Sequence, residues 1–390
     1  MAVLAAAALL MVSGCSSDGG NGPSAKAGKS ASPSAPGKSE GAAPSGGPEK
    51  GDGRAVPPDK GSVKVVSTLT EGLKSPWGVA ALPGGDLLVS SRDEGTITLV
   101  AAGGGKQTLV GKVPGVAPDG EGGLLGLAVS PDGYATDHMV YAYFTTASDN
   151  RIARMLYDPK KPAGQQLGAP DTILRGIPKG SIHNGGRIAF GPDRMLYAGT
   201  GETGVTGLAQ DKESLAGKIL RMTPDGQPVH GNPSADSVVY SYGHRNVQGL
   251  AWDADKRLWA AEFGQDTWDE LNLIEPGGNY GWPTVEGKGS KPGFVDPVAQ
   301  WKTADASPSG IAYEEGSIWM AGLRGRRLWR IPLDGRERSA EPQAFLKEEY
   351  GRLRTVVAAG GGRLWLVTSD TDGRGSVDPG EDRILELKVR

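Results

Sequence analysis

Apolar residues recur along this chain in short strand-like runs separated by turns, and the arrangement of runs and turns itself repeats. Gly186-Arg-Ile-Ala-Phe-Gly-Pro-Asp-Arg-Met-Leu-Tyr-Ala and Gly249-Leu-Ala-Trp-Asp-Ala-Asp-Lys-Arg-Leu-Trp-Ala-Ala share one layout. Each has a small apolar strand, a Pro-Asp-Gly-like turn and a second strand carrying Leu-Tyr or Leu-Trp. The same layout begins at Trp77, Leu125, Gly310 and Arg354. Third strands follow several copies, as in Lys218-Ile-Leu-Arg-Met, Glu270-Leu-Asn-Leu-Ile, Arg327-Leu-Trp-Arg-Ile and Arg383-Ile-Leu-Glu-Leu. Copies recur at roughly 45 to 62 residues, the spacing of propeller blades. Six copies predict an all-β fold, a six-bladed β-propeller. The last copy stops after three strands, while the alternating run Val63 to Leu69 has no partners of its own. The ring closes most simply if that run completes the final blade, which also pairs an otherwise open edge.

Ahead of the repeats the pattern vanishes. Residues 16–60 are Gly, Ser, Pro, Ala and Lys with almost no large apolar side chain, so they cannot bury enough surface to offset the entropy of ordering. That stretch reads as a disordered tether, with the propeller domain expected over residues 61–390. Residues 1–15 hold a short apolar run, Ala2 to Val12, too short to span a bilayer. It ends in Val12-Ser-Gly-Cys15, which resembles a bacterial lipobox, although no charged segment precedes the run. This reading makes residues 1–15 a signal peptide and Cys15, the only cysteine of the 390 residues, the lipidated residue. The expected location is export, with anchoring to the outer face of the cell membrane as a lipoprotein. Contact with the membrane is then through the lipid alone.

Composition narrows the function. The net charge is −3, and lysine and arginine do not gather on one stretch, so no footprint for nucleic acid is present. Neither a phosphate-binding Gly-Lys-Ser/Thr loop nor a dinucleotide fingerprint occurs, and no His/Cys cluster argues for zinc. In a propeller the loops leading into the inner strands crowd one mouth of the channel. Glu121 to Gly126, His183 to Arg187, His244 to Asn246 and Arg352 to Arg354 all stand at such places, and their convergence predicts a site. His183 lies on a glycine-hinged turn and Glu202 follows one hairpin later, a pairing that suits a general base. His244 reads as a support residue. Arg245, Arg324, Arg352 and Arg354 are candidates for clamping carboxylates. The acidic loop Glu262 to Glu270 reads either as a calcium site that uses backbone carbonyls or as an ordinary polar turn.

Four motifs in this order resemble the soluble pyrroloquinoline quinone (PQQ)-dependent glucose and sorbosone dehydrogenases, and are most similar to the aldose sugar dehydrogenase branch. They are Gly120-Glu-Gly-Gly-Leu-Leu-Gly126, His183-Asn-Gly-Gly-Arg187, Tyr242-Gly-His-Arg-Asn-Val-Gln-Gly249 and Gly277-Gly-Asn-Tyr-Gly-Trp-Pro283. The resemblance implies a six-bladed propeller holding PQQ and Ca²⁺ and oxidising an aldose at its anomeric carbon to the lactone, with electrons passed to an external acceptor. It implies His183 as general base, steadied by Glu202, with Arg245 near the carbonyls that accept hydride. Asn246, Trp301, Thr303, Arg324, Arg352 and Arg354 are implied to bind the cofactor. Gly264 and Gln265 are implied as backbone ligands of the calcium beside it, and Glu270 and Tyr280 as ligands of a structural calcium. Glu121 stands at the sugar-binding position in place of a glutamine, and Ile182 replaces an aspartate before the base. Both departures leave glucose specificity and dimerisation open. Two other readings compete: a calcium-dependent propeller lactonase, and a non-catalytic cell-surface propeller that binds a sugar or a partner.

Overall fold

The computed structural model describes residues 56–375 and 382–390, and these form six antiparallel four-stranded sheets, one of them with an added short strand. Residues 1–55, which include Cys15 and most of the expected tether, lie outside the described residues.

In blades 1 to 4 each sheet is a simple up-and-down meander whose strands follow chain order from the channel outward; blade 5 adds a short strand and blade 6 borrows its outer strand from the start of the domain. Blade 1 runs Pro76–Ala81, Leu87–Ser91, Thr96–Val100, Gln107–Lys112; blade 2 runs Leu124–Val129, Met139–Thr145, Asn150–Leu156, Asp171–Ile177. Blade 3 comprises Ile188–Phe190, Leu196–Gly199, Lys218–Met222 and Val239–Tyr242, and blade 4 comprises Val247–Trp252, Leu258–Glu262, Trp268–Ile274 and Ala299–Lys302. Blade 5 has Pro308–Glu314, Ser317–Gly322 and Arg327–Asp334, the last of which pairs with both Glu337–Arg338 and Gln343–Phe345. Blade 6 has Leu353–Ala358, Arg363–Thr368 and Asp382–Val389, and its fourth strand is Val63–Leu73. Val63 pairs with Val389 and Leu73 with Asp382, so the ring closes as the sequence predicted. First strands of successive blades pack on one another around the ring, and that of blade 6 returns to that of blade 1.

Small residues on the inner strands allow this close approach. A Cβ on Gly126 would stand 2.2 Å from the Gly186 carbonyl oxygen, and one on Gly249 would stand 2.5 Å from that of Ser309. Between the blades the second strands supply bulk: Trp259 and Trp319 are fully buried. The turn aspartate of the fourth copy explains part of the repeat signature. Asp253 accepts hydrogen bonds from the Trp259 indole N–H at 2.9 Å and from Arg257 Nε at 2.7 Å, so the turn and the core tryptophan fix each other.

The boundary near residue 60 shifts slightly. Arg330 donates to the carbonyls of Pro58 (2.8 Å) and Asp59 (3.4 Å), so packing against blade 5 begins a few residues ahead of Gly61. No helix among the described residues is long and apolar enough to cross a membrane.

Candidate functional site

In an up-and-down blade, the loop entering the first strand and the loop leaving the second open at the same end. Glu121, His183, Arg245 and Arg352 stand on entering loops or strand starts. Arg92, Glu202, Arg324 and Asp372 stand on loops that leave second strands. Alternate connections therefore bring residues far apart in sequence to one mouth. There they line or adjoin a cavity of about 280 Å³, bordered by Glu121, His183, Arg245, Asn246, Arg324, Arg352 and Arg354 among others.

His183 is held on every side. Its backbone is left-handed (φ 52°), and its N–H donates to Glu121 Oε2 at 2.9 Å. The adjoining Asn184 side chain exchanges hydrogen bonds with the backbone of Gly180 and accepts one from Asn150. Glu202, buried to 1% exposure, bonds His183 Nδ1 through Oε1, while its Oε2 has no hydrogen-bond partner. A carboxylate on Nδ1 selects the tautomer that leaves Nε2 as the basic nitrogen facing the cavity.

Across the mouth, Arg245 is positioned through its backbone and its planar group. Its N–H donates to Glu262 Oε2 (2.8 Å) and its guanidinium lies 5.4 Å from the Trp282 ring centroid. Burial lowers its pKa, and Nε is buried without a partner. Glu262 also takes His244 Nδ1 at 2.8 Å, and His244 Nε2 meets Ser241 Oγ at 2.8 Å. His244 is fully buried and stacked on Tyr280, which fits the support role read from sequence. Asn246 Oδ1 accepts the Gly185 N–H at 2.9 Å and so ties the turn of His183 to blade 4.

The far wall is cationic. Arg352 Nη2 and Arg354 Nη2 both donate to Asp372 Oδ2 at 2.9 Å. Arg354 is fully enclosed, and burial pushes its pKa down to about 10 despite Asp372. Below it Arg187 donates to the Gln248 carbonyl (2.8 Å) and to Thr355 Oγ1 (3.0 Å), with its guanidinium 4.5 Å over the Trp77 ring. Burial, then the Arg354 charge, brings Arg187 down to about 9. Arg352 and Arg354 share the one carboxylate of Asp372, so this wall keeps an excess of positive charge, which suits an anion with acidic groups.

Two of the residues the resemblance assigns to cofactor binding, Trp301 and Thr303, do not line this cavity. Trp301 sits in the interblade core against Trp329, with ring centroids 5.7 Å apart, and borders a separate cavity of about 390 Å³. The Thr303 hydroxyl donates to the Asp266 carbonyl at 3.4 Å. The reason is radial. Ala299–Lys302 is the outermost strand of blade 4, and the chain returns to the channel only at Ser307, which does line the mouth.

The acidic loop behaves as a turn with a built-in anion. Glu286 Oε1 accepts the N–H groups of Gln265, Asp266, Thr267 and Trp268 at 2.8 to 3.1 Å. Burial alone would raise the Glu286 pKa, and these donors more than reverse it. Gly264 lines a cavity of about 10 Å³ together with Arg245, Glu262, Glu270, Tyr280 and Glu286. Gln265 borders neither cavity. Burial and the neighbouring Glu262 carboxylate push Glu270 up to about 8, and Asn272 Nδ2 bridges the two at 2.9 and 3.0 Å. The Tyr280 hydroxyl donates to the Leu273 carbonyl and accepts the Glu275 N–H, both at 2.8 Å, which leaves its backbone carbonyl as the group available to a cation. Among the described residues no three Asp, Glu, His or Cys side chains form a metal site by themselves.

The family model for glucose / sorbosone dehydrogenases matches residues 73–377. The chain belongs to the glucose/sorbosone dehydrogenase family. It is thus a sugar dehydrogenase, an oxidoreductase, on a six-bladed propeller. Among solved structures it is similar to the PQQ-bound form of an aldose sugar dehydrogenase from Streptomyces coelicolor, at 74% identity over 86% of this chain and 100% of that one, with a TM-score of 0.85. An aldose sugar dehydrogenase of Escherichia coli is 28% identical, with 79% of this chain and 91% of that protein aligned. Quinoprotein glucose dehydrogenase B of Acinetobacter calcoaceticus is 31% identical over 59% of this chain and 54% of its own length.

Sequence reasoning passed over several residues the geometry brings in. Asp372, Arg92, Arg374 and Glu286 lie in loops with no repeat signal. Arg187 was quoted within a motif and given no role, yet it packs behind the cavity lining, against the Trp77 ring and the Gln248 carbonyl.

Proposed function

We propose that this member of the family oxidises an aldose at the anomeric carbon to its lactone, with PQQ and calcium as resident cofactors and an external acceptor for the electrons. The observation that carries this is one mouth holding both a tautomer-fixed histidine and a set of buried arginines with a single shared carboxylate. A lactonase or a binding module has no use for that cationic wall, so nothing favours those readings.

The residues suit a tricarboxylate quinone. Arg352 and Arg354 would grip its acidic groups, with Arg324 and Asn246 at its edges, and the unpartnered Nε of Arg245 is a donor in want of an acceptor. When bound, PQQ supplies the two-electron acceptor for hydride, and calcium polarises the accepting carbonyl. His183 Nε2 takes the proton of the anomeric hydroxyl, Glu202 stabilises the imidazolium, and Arg245 offers positive charge where negative charge develops. Loss of hydride from C1 and of that proton converts the hemiacetal to the lactone. Glu121, beside His183, is placed to meet a sugar hydroxyl. The test is reconstitution. Purified protein given calcium and PQQ together should reduce a redox dye with aldoses, and should fail with either component alone. No PQQ binding at micromolar concentration would end this reading.

The acidic loop supports calcium in two places. Carbonyls of Gly264 and Gln265 would serve the cofactor-side ion, and Glu270 with the Tyr280 backbone a structural one. Two buried carboxylates sharing one amide are destabilising without a cation. Glu270→Gln should therefore diminish the gain in thermal midpoint on adding calcium. Equal calcium-induced gains in both proteins would remove Glu270 from the site. Export and anchoring through Cys15, supported by the lipobox-like Val12-Ser-Gly-Cys15, complete the proposal.

A further inference from the structure

Glu121 and Arg374 form an ion pair at the rim, Nη2 to Oε1 at 2.7 Å. They come from blades 2 and 6, with blade 1 between them, so the pair spans the edge of the mouth. Arg374 is 60% exposed and Glu121 20%, which makes the pair a weak contributor to stability, and folding does not explain it. Position does. The other Glu121 oxygen holds the His183 N–H, so the carboxylate stands beside the base, within reach of a sugar presented to Nε2. A neutral acceptor would hold that N–H as well, so the full charge of Glu121 needs a separate account.

Arg374 is likewise aimed. Its N–H donates to Asp372 Oδ1 at 2.9 Å, and the second oxygen of Asp372 anchors Arg352 and Arg354. The backbone of Arg374 is thereby tied to the carboxylate that holds the cationic wall, and its guanidinium meets Glu121. Opposite unit charges in contact offset one another, so the pair offers a ligand at this part of the rim donors and acceptors without adding net charge of its own.

We propose that the Glu121–Arg374 ion pair is the charge-selecting element of the sugar mouth, favouring neutral aldoses over uronic acids and amino sugars. The proposal rests on the dehydrogenase reading above for the identity of the ligand. Breaking the pair from either side unmasks one charge. Arg374→Gln leaves a bare carboxylate, Glu121→Gln leaves a bare guanidinium and keeps an acceptor for the His183 N–H, and the double variant is neutral again.

The probes are glucose, glucuronic acid and protonated glucosamine, measured in two ways on the calcium- and PQQ-loaded protein: binding by titration calorimetry, and kcat/KM by dye reduction. Arg374→Gln should shift the glucosamine-to-glucose ratio upward by about fivefold and the glucuronate-to-glucose ratio downward by a similar factor, and Glu121→Gln should do the opposite. The double variant should return both ratios to wild type. A merely structural role would change all three sugars in parallel, and parallel change in both single variants overturns the proposal. If no sugar is oxidised by any of the proteins, the dehydrogenase reading fails while the binding ratios still decide the role of the pair. Absence of saturable binding by all three probes in every protein overturns both.

Discussion

His183→Ala should lower sugar oxidation by about 10²- to 10⁴-fold, the range for loss of a general base, while PQQ binding stays near wild type. The separation follows from geometry. His183 meets the cavity from blade 3, whereas Arg352 and Arg354, the arginines proposed to grip the cofactor, stand on blade 6 and are tied to Asp372. One complication is internal. Removing the imidazole strands Glu202, whose Oε2 already lacks a partner, so the alanine variant leaves a buried carboxylate alone. His183→Asn meets this objection, because its amide N–H can replace Nδ1–H as a donor to Glu202 but offers no basic nitrogen. Both variants should therefore be inactive, with the asparagine form the more stable by thermal melting. Dye reduction under saturating calcium and PQQ is the measurement, and near wild-type turnover in either variant would exclude His183 as the base.

What could be read from the sequence divides along a physical line. Blade number and closure were legible because every blade repeats one hydrophobic layout, and because Val63 to Leu69 alternates with no neighbour to pair with. The structure carries that strand on to Leu73 and pairs it with the C-terminal strand. The convergence of His183, Arg245, Arg352 and Arg354 was legible because glycine-rich turns at blade entries stand out from the repeat, and Glu202 because it follows His183 by one hairpin. Radial position was not. Alternation assigns a face of a sheet, but distance from the channel depends on which strand of the blade a residue occupies, and on that ground Trp301 was misplaced. The counter-charges were hidden for a different reason. Asp372 pairs with arginines 18 and 20 residues away, and Glu286 caps amides about 20 residues away, through loops whose spacing varies from blade to blade. Charge partners of this kind are fixed by convergence in space and leave no periodic trace.

Asp372→Asn should destabilise the cofactor-free protein by about 3 to 5 kcal/mol, the usual consequence of removing one partner of a buried ion pair. Asp372 is 3% exposed by side chain, and Arg352 and Arg354 are 11% and 5% exposed, so water cannot replace the lost charge. The substitution keeps the shape and an oxygen for the Arg374 N–H, but turns an amide N–H₂ toward Arg352 and Arg354, so the charge and its acceptor are lost together. Burial opposes ionisation of Asp372, but Arg354 and Arg352 outweigh it and hold the carboxyl below its ordinary value of 3.8. Because the folded state binds that proton less readily than the unfolded chain, the stabilisation is complete above 3.8 and is lost as pH falls through the depressed folded value. Wild type should show that acid limb in its stability profile, and Asp372→Asn should lack it. The same logic fixes the response to ligand. In wild type a carboxylate entering the cavity shares Arg352 and Arg354 with Asp372; in the variant it meets two guanidiniums without a counter-charge. Adding PQQ should therefore raise the thermal midpoint of Asp372→Asn by more than it raises that of wild type. Matching melting curves for the two cofactor-free proteins would show that Asp372 does not hold the cationic wall together. An equal gain on adding PQQ would mean that the ligand does not use the arginines Asp372 neutralises.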